Sequence, residues 1–320
     1  MTTTSGGLHH VTAIAGDPQR NLDFYTGTLG MRLVKKTVNF DDPTAYHFYF
    51  GDATGTPGSL LTFFPWGSAP RGRQGVGQAA SVALAIPAGS LGWWIERLIA
   101  QGVAYEGPVH RFGEAVLTFR DPDGMAVELV ATAAAGAVPG WDSGTLPAEH
   151  AIRGLHTTTL WVSELAPTAQ VLTDALGFTR VGEHEGTVRF APSGASHPIG
   201  AYLDVRPAGG FWSARMGVGS IHHVAFRVAD DTVQDELRGR VLRQGLGASP
   251  RMDRNYFRSV YFREPNGVLF ELATDGPGML IDEPLEHLGE SLRLPPQYEP
   301  MRAGIEAALP ELALARGAHA

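Results

Sequence analysis

The sequence contains no cysteine, and this absence excludes several kinds of site at once. A chain without thiols cannot form disulfide bonds, use a thiolate nucleophile, or hold an iron-sulfur cluster or a cysteine-ligated zinc ion. Any metal ion must therefore be bound by histidine, aspartate or glutamate. The chain has 12 histidines and 33 acidic residues that could serve as such ligands.

Long apolar runs and clusters of basic residues are also missing. No apolar stretch reaches the roughly 18 residues that a membrane-spanning helix needs, and residues 1–7 are small and polar, unlike an export signal. The formal net charge is -8, and the 25 lysine and arginine residues are scattered along the chain. We therefore expect a cytoplasmic protein that has neither nucleic acid nor a membrane as a partner.

What the sequence does contain is a repeated unit. Residues 119–129 (FRDPDGMAVEL) align without gaps on residues 262–272 (FREPNGVLFEL), and each segment reads as strand, tight turn and strand. Residues 26–31 and 173–178 also match, each with a glycine after a helix, where the backbone turns left-handed. Four apolar segments open the units at intervals of about 70 residues: Leu8–Ala15, 80–86, Gly154–Val162 and 221–228.

Each unit reads as a strand, a helix and about three further strands. The further strands of the first unit are predicted at Arg32–Asn39, 45–50 and 59–65, which are rich in aromatic and β-branched residues. The helix of this unit is expected to begin at Asp17, with Pro18 in its first turn. The helices of the other units are expected to follow Ser90, Ala166 and Thr232.

The units also set the expected domain organisation. They are predicted at residues 8–70, 78–135, 154–207 and 220–276. We expect units one and two to form a first domain within residues 1–140, and units three and four a second within residues 150–280. Residues 281–320 match no unit and are expected to form a C-terminal extension. Its helix is predicted at residues 306–315, broken or kinked at Pro310.

Four such units resemble those of the vicinal-oxygen-chelate superfamily, which includes glyoxalases, bleomycin resistance proteins and extradiol dioxygenases. Nearly the whole chain is similar to the hydroquinone-type ring-cleaving dioxygenases of that superfamily. The segments that carry the narrower resemblance are residues 8–11 (LHHV), 57–58 (PG), 87–94 (PAGSLGWW), 111–113 (RFG), 221–226 (IHHVAF) and 254–271. The resemblance implies an α+β fold in which four βαβββ modules pair into two open, curled β-sheets, each a half-barrel. A metal ion would lie in the concavity of one sheet.

Glu271 is a strong indication of a metal site. It lies in the apolar segment 268–273 (VLFELA), where an unpaired buried carboxylate would cost several kcal/mol or hold a proton. A bound cation removes that cost. His223 opens the same unit, so the first and last strands of one unit can direct two ligands at one point.

The third ligand depends on which units pair. If units three and four pair, as in the catechol-type extradiol enzymes, it is His156. If units one and four pair, as in the hydroquinone-type enzymes, it is His10. The doublet His9-His10 matches the doublet His222-His223, and the hydroquinone-type relatives carry both doublets, so we favour His10.

The ligand set indicates the chemistry. Two histidines and one carboxylate leave about three open positions on an octahedral metal, the arrangement of non-haem Fe(II) enzymes that use O₂. Fe(II) is therefore the expected metal, with Mn(II) as the alternative. A glyoxalase-type isomerase would need a fourth protein ligand, which under the one-four pairing would come from residues 59–64 (SLLTFF). That segment has no carboxylate.

The expected function is that of a dioxygenase which inserts O₂ into hydroquinone or a substituted hydroquinone and yields a ring-opened semialdehyde acid. Its expected partners are this small aromatic substrate and O₂. The alternatives are a metal-dependent isomerase or lyase of the same fold and a metal-free protein that binds small molecules. A homo-oligomer is expected because such assemblies are common.

By resemblance, five residues match catalytic positions around the metal of the hydroquinone-type enzymes: His9, Thr12, His222, Arg254 and Tyr261. Thr12 shares the strand face of His10, so we expect its hydroxyl to line the pocket. Simple alternation along a strand turns His9 and His222 away from the metal. Their placement therefore needs a distorted strand or rests on the resemblance alone.

Other chemically active residues are interpreted as structural. The remaining histidines have no partner of this kind in the repeats and are expected at the surface or in structural roles: His47, His110, His150, His184, His197, His287 and His319. Trp93 and Trp94 have helical spacing among apolar neighbours, which favours core packing. With His10 as the ligand, His156 would lie opposite Glu128 as the remnant of a second site, and Glu128 would be structural.

Overall fold

Each of the four repeats folds as a strand, a helix and three further strands. The computed structural model describes residues 3–194 and 199–313. Unit one contains β1 (Leu8–Ala15), α1 (Pro18–Leu22), β2 (Arg32–Asn39), β3 (Asp42–Gly51) and β4 (Leu60–Pro65). Unit two contains β5 (Gln78–Pro87), α2 (Leu91–Ala100), β6 (Tyr105–Arg111), β7 (Glu114–Arg120) and β8 (Ala126–Thr132). Unit three contains β9 (Gly154–Val162), α3 (Leu165–Gln170), β10 (Phe178–His184), β11 (Thr187–Pro192) and β12 (Tyr202–Pro207). Unit four contains β13 (Ser220–Val228), α4 (Asp231–Arg243), β14 (Met252–Asp253), β15 (Phe257–Arg263) and β16 (Leu269–Pro277).

The sheets join units that are distant in sequence. Units one and four share an eight-stranded sheet in the order β14-β15-β16-β13-β1-β4-β3-β2, and units two and three form a second in the order β10-β11-β12-β9-β5-β8-β7-β6. The units of a sheet meet through their antiparallel first strands, β1 with β13 and β5 with β9. The predicted α+β fold with two curled half-barrel sheets is confirmed, and the pairing is one-four. Each sheet takes one unit from each half of the chain, and the domain boundaries near residues 140 and 150 stay a prediction.

The sequence signals at the helix ends act as predicted. Asp17 precedes α1 and accepts a hydrogen bond of 2.7 Å from the backbone N–H of Arg20, with Pro18 at the first helical position. Helices α1 and α3 continue as π-helical turns over Asp23–Thr28 and Val171–Ala175, and Gly30 and Gly177 follow these turns with φ of 65° and 75°. Glycine enters this left-handed region without a steric penalty.

The C-terminal extension differs from its prediction. Its helix, α5 (Arg302–Ala308), begins four residues earlier than expected and ends before Pro310. A residue that precedes proline is disfavoured in the helical region, and Leu309 accordingly adopts an extended conformation with ψ of 142°. Residues 314–315 of the predicted helix lie outside the described residues.

Buried charges fasten this extension to the first sheet. Lys35 on β2 is fully buried, and its Nζ donates to Asp282 at 2.6 Å and to Glu283 at 2.5 Å. The hydroxyl of Tyr256 donates to the other carboxylate oxygen of Asp282 at 3.0 Å. Because Tyr256 follows Arg254 by two residues, the extension supports the loop that carries a predicted site residue.

The helices pack on the outer faces of the sheets around an apolar core. Trp94 of α2 is fully buried and its indole N–H donates to the carbonyl of His150 at 2.9 Å. Trp93 is partly buried and packs against the same core. The core-packing prediction for both tryptophans is confirmed. Among the described residues, no helix has the length and apolar character needed to cross a lipid bilayer.

Candidate metal centre

Two β-bulges bring the histidine doublets to the concave face of the first sheet. The antiparallel pairing of β1 with β13 shifts register by one residue at His9 and again at His222. The extra residue immediately precedes His10 in one strand and His223 in the other. A bulge interrupts the alternation of side chains. This is the strand distortion that the predicted roles of His9 and His222 require.

His10, His223 and Glu271 converge in this concavity. Nε2 of His10 lies 3.2 Å from Nε2 of His223 and 3.3 Å from Oε2 of Glu271, and Nε2 of His223 lies 2.9 Å from the same oxygen. Octahedral coordination at about 2.1 Å places adjacent ligand atoms about 3 Å apart. The three atoms therefore have the spacing of one face of a coordination octahedron. Within the part of the chain that the structure describes, this is the one group of three potential ligands found.

The carboxylate of Glu271 is oriented as a metal ligand would be. The side chain is fully buried, and its Oε1 accepts a hydrogen bond of 2.5 Å from the hydroxyl of Ser259. Its Oε2 faces both imidazoles and accepts no hydrogen bond from the described residues. A buried carboxylate oxygen without a donor is costly, and a cation removes the cost. The residues present fit a divalent metal ion.

Each doublet also fixes the protonation of its ligand. Nδ1 of His10 lies 2.9 Å from Nδ1 of His9, and Nδ1 of His223 lies 2.7 Å from Nδ1 of His222. A histidine that binds a metal through Nε2 carries its proton on Nδ1 and donates it to a neighbour. The preceding histidine of each doublet therefore accepts at Nδ1 and keeps its own proton on Nε2.

Burial and neighbouring groups shift the pKa values of His223 and Glu271 toward the forms that bind a metal. Burial lowers the pKa of His223, and burial with the adjacent His10 holds the pKa of His9 well below its ordinary value. Burial also lowers the pKa of His222 to about 3. Burial alone would raise the pKa of Glu271, but His10 and His223 hold it well below its usual range. Neutral imidazoles and an ionised carboxylate are the forms that coordinate divalent metals.

A cavity of about 530 Å³ opens at this group. His10 and His223 lie in its wall, and Glu271 is buried behind them. Aromatic and apolar side chains form much of the remaining wall: Phe40, Phe64, Trp66, Met252, Phe257 and Leu269. The volume lies within the usual range for small-molecule sites, and the walls suit a flat aromatic ring.

Arg254 and Tyr261 lie in the cavity wall, as do the metal-facing histidines. The guanidinium of Arg254 donates to Asp41 at 2.9 Å and lies 5.5 Å from the centre of the Tyr261 ring. Tyr261 stands opposite Glu271 in the β15-β16 hairpin. Burial and the charge of Glu271 raise the pKa of Tyr261, so its hydroxyl stays protonated. Sequence reasoning missed Asp41, which comes from the β2-β3 turn of the other unit.

Two residues lie where the sequence did not predict them. Thr12 is fully buried and its hydroxyl lies 2.8 Å from that of Thr62, so it does not line the cavity as expected. Thr62 is also 2.9 Å from Nε2 of His47. His47 is no surface residue: it lines the cavity between the rings of Tyr49 and Phe64. It was missed because it has no counterpart in the other units, although it shares a strand face with Tyr49.

The bulges recur in the second sheet without the ligands. The register of β5 with β9 shifts at Ala80 and at His156. His156 therefore takes the place of His222, and Thr157 takes that of the candidate ligand His223. Matching Leu155 to the residue before His222 would have given this alignment from the sequence.

The remaining members of the second constellation are paired with other residues. Glu128 stands in the place of Glu271, but it forms an ion pair of 2.6 Å with Arg111. His156 lies 3.0 Å from Glu114. His156 is thus separate from the candidate metal centre, and Glu128 has the structural role expected of it.

The other histidines that the structure describes have no part in the site. His110 and His287 are exposed, His184 is half-buried, and His150 is half-buried against Trp93. His197 and His319 lie outside the described residues.

Comparison with protein families identifies the chain. Residues 7–129 and 154–272 match the model of the Glyoxalase/Bleomycin resistance protein/Dioxygenase superfamily. The chain belongs to this superfamily. The two matched segments coincide with the two halves of the repeat, so the superfamily accounts for all four units.

Relatives within the superfamily match over nearly the whole chain. A Bacillus subtilis (strain 168) protein, provisionally named ring-cleaving dioxygenase MhqO, is 42% identical over 311 residues, covering 97% of each chain. The chlorohydroquinone/hydroquinone 1,2-dioxygenase of Sphingobium indicum is 38% identical over 301 residues, covering 92% of each. A crystal structure of a provisionally named dioxygenase from Bacillus subtilis has a TM-score of 0.92 at 40% identity and covers 98% of this chain and 99% of that one. Glyoxalase I from Zea mays, with a TM-score of 0.61 at 17% identity over 84% of this chain and 92% of its own, shares the fold.

Proposed function

We propose that the protein is an Fe(II)-dependent ring-cleaving dioxygenase that inserts O₂ into hydroquinone or a substituted hydroquinone and yields a ring-opened semialdehyde acid. The observation that carries this proposal is the buried group of His10, His223 and Glu271 at a cavity with largely aromatic walls. The names of the relatives, which refer to ring cleavage and to hydroquinone, support the same class of reaction. A cytoplasmic location and a homo-oligomeric state stay predictions from the sequence.

His10, His223 and Glu271 would hold the metal ion. Three protein ligands would leave about three positions on an octahedral metal ion for substrate and O₂. When bound, Fe(II) supplies adjacent positions for a phenolic oxygen and O₂ and a path for electrons between them. Mn(II) prefers similar ligands and is the alternative metal.

The chain itself supplies donors for the negative charge that develops on oxygen. His222 borders the cavity and carries its proton on Nε2, because its Nδ1 accepts from His223. Tyr261 stays protonated, and Arg254 is held in place by Asp41. Donors that are already oriented stabilise a developing anion more strongly in a cavity with few waters than they would in bulk water.

The cavity walls provide substrate orientation. Phe64, Trp66 and Phe257 present ring faces and edges, which hold an aromatic substrate by burial and by offset or edge-to-face contacts. Such contacts fix the ring plane while one hydroxyl reaches the metal-facing histidines. When the substrate ring and O₂ are held close together, their reaction becomes a step within one complex instead of a bimolecular encounter.

A glyoxalase-like isomerase or lyase is supported less well. The fourth protein ligand of such an enzyme would come from unit one, where Thr62 stands opposite Tyr49 as Glu271 stands opposite Tyr261 in unit four. Thr62 offers a hydroxyl that is already engaged with Thr12. A metal-free binding protein is also supported less well, because it would leave Oε2 of Glu271 buried without a donor from the described residues.

The proposal is tested by loading wild type, His10→Ala and His156→Ala with Fe(II) without oxygen. Hydroquinone or catechol is then added with O₂, and bound metal and O₂ uptake are recorded. We expect wild type and His156→Ala to bind metal and to consume O₂ with hydroquinone, and His10→Ala to lose both. His156 is the matched control, since it is a buried histidine at a bulge of the other sheet. Metal-loaded wild type without hydroquinone-dependent uptake would refute the proposed activity.

A further inference from the structure

His47 occupies a position in the cavity that neither the metal group nor its donors explain. Its side chain is 8% exposed, and the imidazole lies 4.1 Å from the centre of the Tyr49 ring and 4.3 Å from that of Phe64. Its Nε2 lies 2.9 Å from the hydroxyl of Thr62. Its Nδ1 makes no hydrogen bond to any residue that the structure describes. One nitrogen is thus fixed by the protein, and the other is left for the cavity.

The internal symmetry of the first sheet shows why this position is informative. In unit four, Tyr261 stands opposite Glu271, and Ser259, two residues before Tyr261, donates to that carboxylate. In unit one, Tyr49 stands opposite Thr62, and His47 is two residues before Tyr49. The equivalent positions therefore differ in purpose: Ser259 is fully buried and orients a metal ligand, whereas the histidine reaches the cavity.

The hydroxyl groups of Thr12 and Thr62 hold His47 in one orientation. Thr12, behind the metal-facing histidines on β1, contacts Thr62 on β4 at 2.8 Å, and Thr62 contacts His47 on β3 at 2.9 Å. Burial holds the pKa of His47 well below its ordinary value, so the ring is neutral. A neutral imidazole has one donor and one acceptor nitrogen. A phenolic hydroxyl can accept from the first or donate to the second.

Units one and four therefore contribute different kinds of polar group to the cavity wall. Unit four supplies Arg254 and Tyr261, whose donors suit the oxygen atoms that become anionic. Unit one supplies Asn39, Asp41, Asp42 and His47. Asp41 is engaged with Arg254, whereas His47 lies between the rings of Tyr49 and Phe64, where a neutral imidazole can orient a substrate ring without binding a charge. A substrate with two hydroxyls on opposite sides of its ring is complementary to a cavity of this kind.

We propose that Nδ1 of His47 hydrogen-bonds the substrate hydroxyl that does not bind the metal, and that His47 thereby selects dihydroxybenzenes with a second, distant hydroxyl. The proposal rests on the proposed function and names a substrate contact for it. Thr62 and Thr12 are positioning residues, because they act through His47.

The test measures equilibrium binding rather than turnover. Mn(II)-loaded protein is titrated without oxygen with hydroquinone and with phenol, which lacks the second hydroxyl. Wild type is expected to bind hydroquinone about 10-fold more tightly than phenol, which corresponds to about 1.4 kcal/mol. His47→Leu should bind both with nearly equal affinity. Bound manganese in each variant shows that the metal group and the fold are intact.

Two conservative variants separate the contact from a structural role. The amide of His47→Asn lies near the position of Nδ1 and should restore part of the preference for hydroquinone. The amide of His47→Gln lies near the position of Nε2 and should keep the Thr62 contact without restoring the preference. Exposed His110, replaced by glutamine, is the matched control and should behave as wild type.

The outcomes distinguish this inference from the function on which it rests. If wild type consumes O₂ with hydroquinone but His47→Leu keeps the 10-fold preference, the inference is refuted and the proposed function stands. Equal restoration by the asparagine and glutamine variants would also refute the assignment to Nδ1. If wild type neither binds hydroquinone nor consumes O₂ with it, both proposals fall.

Discussion

Replacing Glu271 by glutamine should change the stability of the metal-free and metal-loaded protein in opposite directions. Glutamine keeps the shape of the side chain and an acceptor for Ser259, but it removes the charge beside His10 and His223. In metal-free wild type, the unpartnered buried oxygen costs about 1–3 kcal/mol. We therefore expect the metal-free variant, measured at alkaline pH where the histidines are neutral, to be at least as stable as wild type.

The metal-loaded proteins should show the reverse. A metal at 100 times its dissociation constant stabilises the folded state by about 2.7 kcal/mol. Loss of the charged ligand should weaken binding by about 100-fold, and at the same metal concentration the variant would gain only about 0.4 kcal/mol. The difference of about 2.3 kcal/mol corresponds to roughly 3 °C in the unfolding temperature of a chain of this size.

The assay is thermal unfolding without oxygen, followed by far-ultraviolet circular dichroism with and without Fe(II) or Mn(II). Glu128→Gln is the matched control, because Glu128 has the equivalent place in the second sheet and pairs with Arg111. Its metal-dependent shift should equal that of wild type. A full metal-dependent shift in Glu271→Gln, or a metal-free variant several kcal/mol less stable than wild type, would show that Glu271 is structural rather than a ligand.

Three further changes have expected outcomes. Ser259→Ala removes the hydrogen bond to Glu271 and should lower metal affinity about 10- to 100-fold in a metal titration, with the fold intact. Lys35→Met leaves Glu283 buried without its lysine and should cost about 3 kcal/mol in urea unfolding; an unchanged midpoint would contradict this. Burial raises the pKa of Asp121 from an ordinary value of 3.8 to about 6, so the folded state holds the proton more tightly than the unfolded state. The stability that protonated Asp121 contributes is complete below about pH 4 and is lost as the pH rises through about 6. The free energy of unfolding of Asp121→Asn, measured in urea, should therefore rise by about 3 kcal/mol relative to that of wild type over this pH range.

The repeat made much of the fold predictable. Some strands that are marked by a clear sequence pattern and by turns at their ends have the predicted bounds: Leu8–Ala15, Arg32–Asn39 and Gly154–Val162. The one-four pairing followed from the match of two short histidine doublets together with the resemblance to the hydroquinone-type enzymes. The C-terminal helix was misplaced because its apolar pattern crosses Pro310, and the restriction that proline places on Leu309 was not applied.

The site was predictable where chemistry and repeat agreed. Glu271 stands out as a carboxylate among apolar residues, and His10 and His223 occupy matching places. Strand alternation indicated that a distortion was needed at His9 and His222, but it assumes an undistorted ladder and could not show that the distortion is a β-bulge in each strand.

Residues brought in by tertiary pairing were the least predictable. His47 is a single histidine in an aromatic strand, and such a residue is ordinarily a satisfied structural group. Its place in the cavity depends on the neighbouring strand that carries Thr62. Asp41, the partner of Arg254, likewise comes from the other unit of the sheet. Contacts between distant units depend on the curvature of the sheet, and this curvature produces no local pattern in the sequence.

The central claim is that both atoms of O₂ enter the aromatic substrate. The most direct measurement is the reaction of Fe(II)-loaded wild type with hydroquinone under ¹⁸O₂, followed by mass spectrometry of the product. Ring cleavage adds one oxygen atom to each carbon of the broken bond, so the account predicts a ring-opened acid that contains one ¹⁸O in its carboxylate and a second in the aldehyde before exchange with water. An unlabelled quinone, or recovery of unchanged hydroquinone from fully metal-loaded protein, would contradict it.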